Sequence, residues 1–226
     1  MSFSEHLDKN ILRKACSMGD ENLVKQLLDK GDDPNIKNYY GYTPLMNACW
    51  YGHKNIVKLL LNNGADPNIK NKWGNSSVLI WSGMKGYSDI TKILIDMGAD
   101  LNIANDGGDT ALIYSAKNGY YDNVYMLINN NANINIKNNY DETALLWACR
   151  NGHYNIVKLL LQSAANYNIT DRFGRKPIYY AKKLQYKKIE KILIKYQVTK
   201  HFNILNSIIF ILYPLKEIFI DELYRI

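Results

Sequence analysis

The stretch GYTPLMNACWYGHKNIVKLLLNNGADPNIK, residues 41–70, decides the fold because the chain repeats it. It returns as DETALLWACRNGHYNIVKLLLQSAANYNIT, residues 141–170, and looser copies lie between these two stretches and on both sides of them. A fixed period of about 33 residues is typical of a solenoid, in which each unit buries its apolar face only against its neighbours. The sequence therefore predicts a long binding surface without an obvious pocket.

The aligned copies share columns of equivalent residues. Two uniform apolar columns indicate core positions: Leu12, Leu45, Leu79, Leu112, Leu145 and Ile178, and then Leu27, Leu60, Leu94, Leu127, Leu160 and Leu193. A column of small residues allows close helix approach: Ala15, Ala48, Ser82, Ser115, Ala148 and Ala181. Glycine, which ends a helix by tolerating positive φ, recurs at Gly19, Gly52, Gly86, Gly119 and Gly152, with Gln185 in the last copy. Each unit is therefore predicted to contain two short helices.

The second copy shows where these helices should begin and end. Thr43 supplies a hydroxyl N-cap and Pro44 suits the first helical position, so the first helix is expected to run from there to Gly52. The second helix is expected from near Asn55 to Asn63. The following ADPNIKNKWG has the turn residues of a hairpin-like finger between units.

The motif Thr43-Pro-Leu-Met-Asn-Ala48, with the later GH and GADPN, resembles the ankyrin repeat family. The resemblance covers residues 8 to about 198. It implies an all-α solenoid of paired antiparallel helices, with repeats at about 8–40, 41–73, 74–107, 108–140, 141–173 and 174–198. Residues 199–226 lie beyond the resemblance and are predicted to form an apolar helical extension. The third repeat departs from the pattern, because it has one extra residue after Gly74 and carries Ser77 and Val78 instead of Thr-Pro.

The resemblance implies a scaffold that binds a partner protein with its finger tips and with the exposed face of each first helix. The sequence places aromatic residues at both locations, as expected of an interface hot spot. The predicted partner-binding residues are Tyr39, Tyr40, Tyr42, Trp50, Tyr51, Lys72, Trp73, Trp81, Met84, Tyr114, Tyr140, Trp147, Arg150, Phe173 and Arg175. The alternative is structural: the helix rings replace a leucine usual in the family and pack between helices, while the tip rings brace adjacent fingers.

Residues that could carry chemistry occupy structural positions of the repeat. Cys16, Cys49 and Cys149 are equivalent to one another, and helices about 10 Å apart place them too far apart for disulfides. They are predicted to be free core thiols in a reducing, cytoplasmic compartment. His53 and His153 also recur in register, so no catalytic or metal set is expected. The sequence predicts a protein that is not an enzyme and needs no cofactor or metal.

A recurrent asparagine column is predicted to be structural, with each side chain bonding the backbone of its own turn. Its members are Asn35, Asn68, Asn102, Asn135 and Asn168. Asp66 and Asp100 recur in the same loop and are also expected to form turns.

The last repeat is strongly basic, with ten basic and two acidic residues among residues 171–200 of a chain whose net charge is +7. This charge suits a polar end cap, or it could attract an anionic membrane surface or an acidic partner. Nucleic acid is not favoured, because no recognition module accompanies the charge.

Residues 202–226 are apolar and break the repeat. They are expected to be helical and to cover the sixth repeat. They could instead dock a second protein or drive self-association of a chain otherwise expected to be monomeric, and PLKEIFIDEL bears a faint likeness to an F-box-like tail. The alternative function is therefore an adaptor or effector that docks a membrane or a ubiquitin-ligase-like machine. No secretory signal or transmembrane span is predicted.

Overall fold

A computed structural model of the chain describes residues 10–200, which fold into a stack of helix pairs. This part of the chain is helical apart from loops and one isolated bridge between Ala104 and Thr110. The helices are α1 (Ile11–Met18), α2 (Glu21–Asp29), α3 (Pro44–Tyr51), α4 (Lys54–Asn62), α5 (Val78–Lys85), α6 (Ser88–Asp96), α7 (Ala111–Asn118), α8 (Tyr121–Asn129), α9 (Ala144–Arg150), α10 (Tyr154–Gln162), α11 (Pro177–Lys183) and α12 (residues 187–200).

The repeat stacks into two layers of helices. Consecutive odd-numbered helices from α1 to α11 contact one another and form the inner layer, while the even-numbered helices α2 to α10 form the outer layer. Each helix pair covers the apolar face of the pair before it, which confirms the predicted all-α solenoid. The helices predicted within residues 202–226 lie outside the described residues.

The predicted helix boundaries are confirmed within a residue. Thr43 caps α3 by accepting the Met46 N–H at 3.2 Å, and Gly52 ends α3 with φ of 76°. The second helix of this repeat begins and ends one residue earlier than predicted. At the start of the third repeat, the extra residue is accommodated by Asn75, whose φ is 49°.

The apolar columns form one continuous core. The members of both columns are buried except Ile178, which is only partly buried because no repeat follows it within the described residues. At the position of the repeated cysteines the last repeat has Lys182, which is exposed. On the last helix pair, a charged side chain therefore lies at a position where the other repeats have a small side chain.

The asparagine column does not close its own turns, and that prediction is wrong. Asn35 Oδ1 accepts the backbone N–H of Asp66 in the next repeat at 2.8 Å, and Asn68 Oδ1 accepts that of Asp100 at the same distance. The side chain two residues earlier closes each turn instead: Asp66 Oδ1 accepts the N–H of Asn68 at 2.8 Å, and Asn133 Oδ1 accepts that of Asn135 at 3.1 Å. The asparagines thus form a ladder of hydrogen bonds that links one repeat to the next.

The repeated histidines are also contacts between repeats. His53 Nε2 lies 3.2 Å from the Ser17 carbonyl and His153 Nε2 lies 3.0 Å from the Lys117 carbonyl. Because a carbonyl only accepts, Nε2 carries the proton in both rings. Each ring packs against the helix-ending glycine of the preceding repeat, where an added Cβ would approach within 2.7 Å. The histidines therefore stabilise the stack, as their register predicts.

The three cysteines are free and buried, as predicted. Burial raises the pKa of the Cys16 thiol from 9.0 to about 12, and it raises the pKa values of Cys49 and Cys149 still further. Unfolded thiols ionise near their ordinary pKa whereas folded thiols keep their protons. The stability that the buried thiols contribute is complete below pH 9 and is lost as the pH rises toward 12.

We expect the free energy of unfolding of the wild-type chain to fall more steeply between about pH 8 and pH 10 than that of a C16A/C49A/C149A variant. The difference should be about 1.4 kcal/mol per thiol for each pH unit above the unfolded pKa. Urea unfolding of both chains at several pH values measures it. Parallel pH profiles would show that the thiols ionise equally in both states.

The N-terminal caps of the inner helices differ in strength. Thr110 Oγ1 accepts the Ile113 N–H at 3.3 Å, whereas Ser77 makes no such bond and its buried hydroxyl has no partner among the described residues. We expect Thr110→Ala to lower the free energy of unfolding by about 1 kcal/mol. The matched change Ser77→Ala should have no cost. Equal losses in urea unfolding would contradict this difference between the two caps.

Candidate functional site

The inner surface of the solenoid consists of the exposed side of the odd-numbered helices and the fingers. A second column of polar residues, which the sequence analysis did not single out, holds the backbone of each finger in place. Asn38 Oδ1 accepts the N–H groups of Tyr40 at 3.0 Å and Tyr42 at 2.9 Å. Its equivalents also accept backbone N–H groups of their own fingers and are Asn71, Asn105, Asn138 and Asp171. These side chains fix where the tip residues lie.

Backbone hydrogen bonds join neighbouring fingers. The Tyr40 carbonyl accepts the Lys72 N–H at 2.9 Å, and the Tyr140 carbonyl accepts the Arg172 N–H at 3.0 Å. The tips remain open to solvent all the same, with Trp73 71% and Phe173 69% exposed. The fingers therefore expose aromatic side chains to solvent from a backbone that hydrogen bonds hold in place.

The tip rings contact different partners at the two ends of the stack. Tyr39 and Tyr40 meet edge to face with their centroids 5.2 Å apart, and Tyr40 meets Trp73 in the same way at 6.1 Å. Lys72 lies over Tyr39 at 5.4 Å. At the other end, Arg172 lies over Tyr140 at 4.5 Å. Cations therefore lie over tip rings at both ends, and at the N-terminal end the tip rings also contact one another.

The predicted helix residues divide between core and surface. In the column two residues after the first leucine column, Trp81 and Tyr180 are buried, whereas Tyr114 and Trp147 are only partly buried. Trp81 therefore packs between repeats, as the structural alternative describes. Met84 is partly buried and packs against the core.

The N-terminal aromatic cluster is formed by Tyr42, Trp50 and Trp81. The Tyr42 and Trp50 rings each lie 5.6 Å from the Trp81 ring, and Lys85 lies over Trp50 at 4.1 Å. The cluster and the exposed Tyr51 line a cavity of about 260 Å³. The cluster thus brings together predicted residues from two neighbouring repeats.

The C-terminal groove is a second cavity, of about 390 Å³, between fingers and inner helices of the last repeats. It combines aromatic rings with cations and carboxylates, several of which the sequence prediction did not include. Its lining residues are Asp109, Lys117, Asn138, Tyr140, Glu142, Trp147, Arg150, Asp171, Arg172, Phe173 and Arg175. The groove brings five predicted residues into one site, namely Tyr140, Trp147, Arg150, Phe173 and Arg175.

Asp171 organises the C-terminal end of this groove. It accepts the Arg175 Nε–H at 2.8 Å and the Tyr180 hydroxyl at 2.5 Å. Burial acts to raise the pKa of the Asp171 carboxyl, but the hydrogen bonds from Tyr180, Arg175 and Phe173 hold the pKa below its ordinary value. Burial and the adjacent Asp171 raise the pKa of Tyr180 to about 12. The carboxylate is therefore charged and internally satisfied at neutral pH.

Trp147 is an unusual member of the groove. Its indole N–H is buried and has no acceptor among the described residues. Lys117 lies over the ring at 4.1 Å and Arg150 at 4.9 Å. A buried donor without a partner costs about 1–3 kcal/mol. A leucine in this position would avoid that cost, so stability alone does not explain the tryptophan.

The basic residues of the last repeat lie mainly on the surface. The exposed lysines of α11 and α12 are Lys182, Lys183, Lys187, Lys188, Lys191, Lys195 and Lys200. Among residues 10–200, no cluster of three histidine, cysteine or acidic side chains could hold a metal. The same residues contain no helix that is long and apolar enough to cross a membrane.

Comparisons with known proteins agree with this architecture. The family model described as ankyrin repeats (3 copies) matches residues 2–71, 68–138 and 132–205. The chain therefore belongs to the ankyrin repeat family, whose repeats generally mediate protein–protein interaction. None of the curated proteins compared with the chain matches it.

Two solved structures illustrate the similarity. An ankyrin repeat domain, ABAYE2397 from Acinetobacter baumannii AYE, is 33% identical, with a TM-score of 0.80 over 84% of this chain and 99% of that one. The ankyrin repeat protein EF0377 is 32% identical, with a TM-score of 0.79 over 84% of this chain and 98% of that one. Both are therefore similar to this chain over nearly their whole length.

Proposed function

We propose that the protein is a non-enzymatic scaffold that binds a partner protein through its inner surface and finger tips. The observation that carries this proposal is the exposure of large rings on fingers whose backbones are fixed by hydrogen bonds. Because the frame is ordered in advance, a partner would bury aromatic area with little loss of conformational entropy. The N-terminal aromatic cluster and the C-terminal groove supply concave sites beside the tips.

We also propose a cytoplasmic location. The support is the state of the three cysteines, which are free and buried in the core. A thiol core of this kind is stable under reducing conditions.

Affinity capture tests the scaffold function. The full chain would be immobilised and exposed to an extract of the cells that express it, beside a W73A/Y140A/F173A tip variant. A Y121A/Y125A variant is the matched control, because these two tyrosines are also exposed but belong to the outer helix α8. We expect wild type and control to retain a partner that the tip variant loses. If the tip variant melts at a lower temperature and retains the same partner, the tips are structural.

A further inference from the structure

Equivalent positions change their chemistry along the inner surface. The residue before the first helix cap is Tyr42 in the second repeat and Glu142 in the fifth. Five residues after the first leucine column, Trp50 in the second repeat gives way to Lys117 in the fourth. The same frame thus presents rings near the N-terminal end and charges in the C-terminal groove.

All three carboxylates of the C-terminal groove accept hydrogen bonds from the protein itself, and two of them are paired with arginines. Glu142 accepts Arg150 Nη1 at 3.1 Å and Asn138 Nδ2 at 3.3 Å. Asp109 also accepts Asn138 Nδ2, at 2.8 Å. Asp171, only 4% exposed, accepts four hydrogen bonds, from Phe173, Arg175 and Tyr180. Glu142 and Asp171 are therefore each paired with an arginine of the groove, whereas Asp109 is held by an amide rather than by a cation.

Two cations of the groove have no carboxylate partner among residues 10–200. The Lys117 ammonium lies 4.1 Å from the centre of the Trp147 ring, and the Arg172 guanidinium lies 4.5 Å from that of Tyr140. Contact with a ring face orients a cation but leaves its N–H groups able to donate elsewhere. The groove therefore presents positioned, unneutralised positive charge beside apolar rings.

We propose that the C-terminal groove binds an extended, acidic segment of a partner protein. Carboxylates of the segment would pair with Lys117 and Arg172, and its apolar side chains would contact Trp147 and Phe173. The proposal rests on the scaffold function and adds the chemistry of the partner. Charge complementarity carries it, since four cations face three carboxylates in the groove and the two unpaired cations outnumber Asp109, the one carboxylate of the groove without a cation partner among residues 10–200.

Selection from a random peptide library tests the proposal without a known ligand. A displayed library of about 12-residue peptides would be passed over the full-length wild-type chain, a K117E/R172E variant and a K58E/K92E variant. Lys58 and Lys92 are exposed on the outer helices α4 and α6, so the control changes net charge equally. Circular dichroism and thermal melting would establish that each variant is folded.

We expect peptides retained by wild type and control to be enriched in aspartate and glutamate. K117E/R172E should bind these peptides at least about tenfold more weakly, and added salt should weaken wild-type binding. A set of neutral or basic peptides, equal binding to K117E/R172E, or no enrichment would overturn the acidic specificity. Tight binding of a single-stranded oligonucleotide that K117E/R172E abolishes would overturn it in favour of nucleic acid.

The selection separates this proposal from the scaffold function. Neutral peptides that bind the wild type and not W73A/Y140A/F173A would support the scaffold function and contradict only the proposed acidic specificity. Failure of both the selection and the affinity capture would remove both.

Discussion

Replacing Trp147 with leucine is expected to weaken binding of the captured partner at least about tenfold while changing the free energy of unfolding by less than about 1 kcal/mol. Leucine removes the buried indole N–H that lacks an acceptor, which gains about 1–3 kcal/mol. It also loses apolar contact and the cation contacts of Lys117 and Arg150, each worth about 0.5–1 kcal/mol. These opposing contributions to the free energy of unfolding nearly cancel. Binding is weakened because leucine does not replace the contact that the indole ring would make with a partner in the groove. Titration calorimetry and urea unfolding measure the two effects.

Tyr180→Leu is the matched control, because Tyr180 lies in the same column one repeat later. Its ring is buried and its hydroxyl donates to Asp171 at 2.5 Å. Leucine would leave a buried carboxylate with one donor fewer, so we expect a loss of about 2 kcal/mol or more in the free energy of unfolding. If Trp147→Leu destabilised the chain as much as Tyr180→Leu and spared binding, Trp147 would be a packing residue.

Gly83→Cys is expected to destabilise the chain by about 2–3 kcal/mol, although cysteine occupies the equivalent position in three repeats. Gly83 lies inside α5, where a Cβ would come 2.7 Å from the Ala111 carbonyl oxygen and 3.1 Å from the Ala111 Cα. These are backbone atoms of α7, so relief requires a shift of one helix against the next. The small gain in helix propensity over glycine, at most about 1 kcal/mol, does not offset this.

Two other substitutions serve as controls in the same urea unfolding series. Gly98→Ala meets no atom within 4 Å and should cost only about 1 kcal/mol, from its φ of 78°. Asn123→Ile should stabilise the chain by no more than about 1 kcal/mol, because isoleucine removes a buried Oδ1 that has no partner among the described residues but also removes the hydrogen bond from Asn123 Nδ2 to the Ser82 carbonyl. Isoleucine occupies four equivalent positions. Stabilisation by Gly83→Cys would show that α5 and α7 leave room for a side chain at position 83.

The sequence predicts most of the fold because local signals and the repeat agree. Thr43 and Gly52 mark the ends of α3, and the leucine columns mark the core. These signals act within a few residues or recur at every repeat. Exposure of the finger tips follows from the same register, since the tip position lies outside both apolar columns.

Other features depend on how repeats meet, and a single copy does not reveal them. Trp50 and Trp81 are similar residues, yet one is exposed and the other is buried between repeats. Asn35 looks like an ordinary turn residue, but its Oδ1 accepts a backbone N–H of the next repeat. Glu142 pairs with Arg150 only because the finger folds back toward α9. The charge of the groove is therefore a property of the stack.

Hydrogen–deuterium exchange of the full chain, with and without the captured partner, tests the central claim most directly. The partner should slow exchange in the fingers and the inner helices, above all in α9 and the finger at residues 138–142, and leave the outer helices α4, α6, α8 and α10 unchanged. Protection confined to the outer helices would contradict the assignment of the inner surface as the binding site.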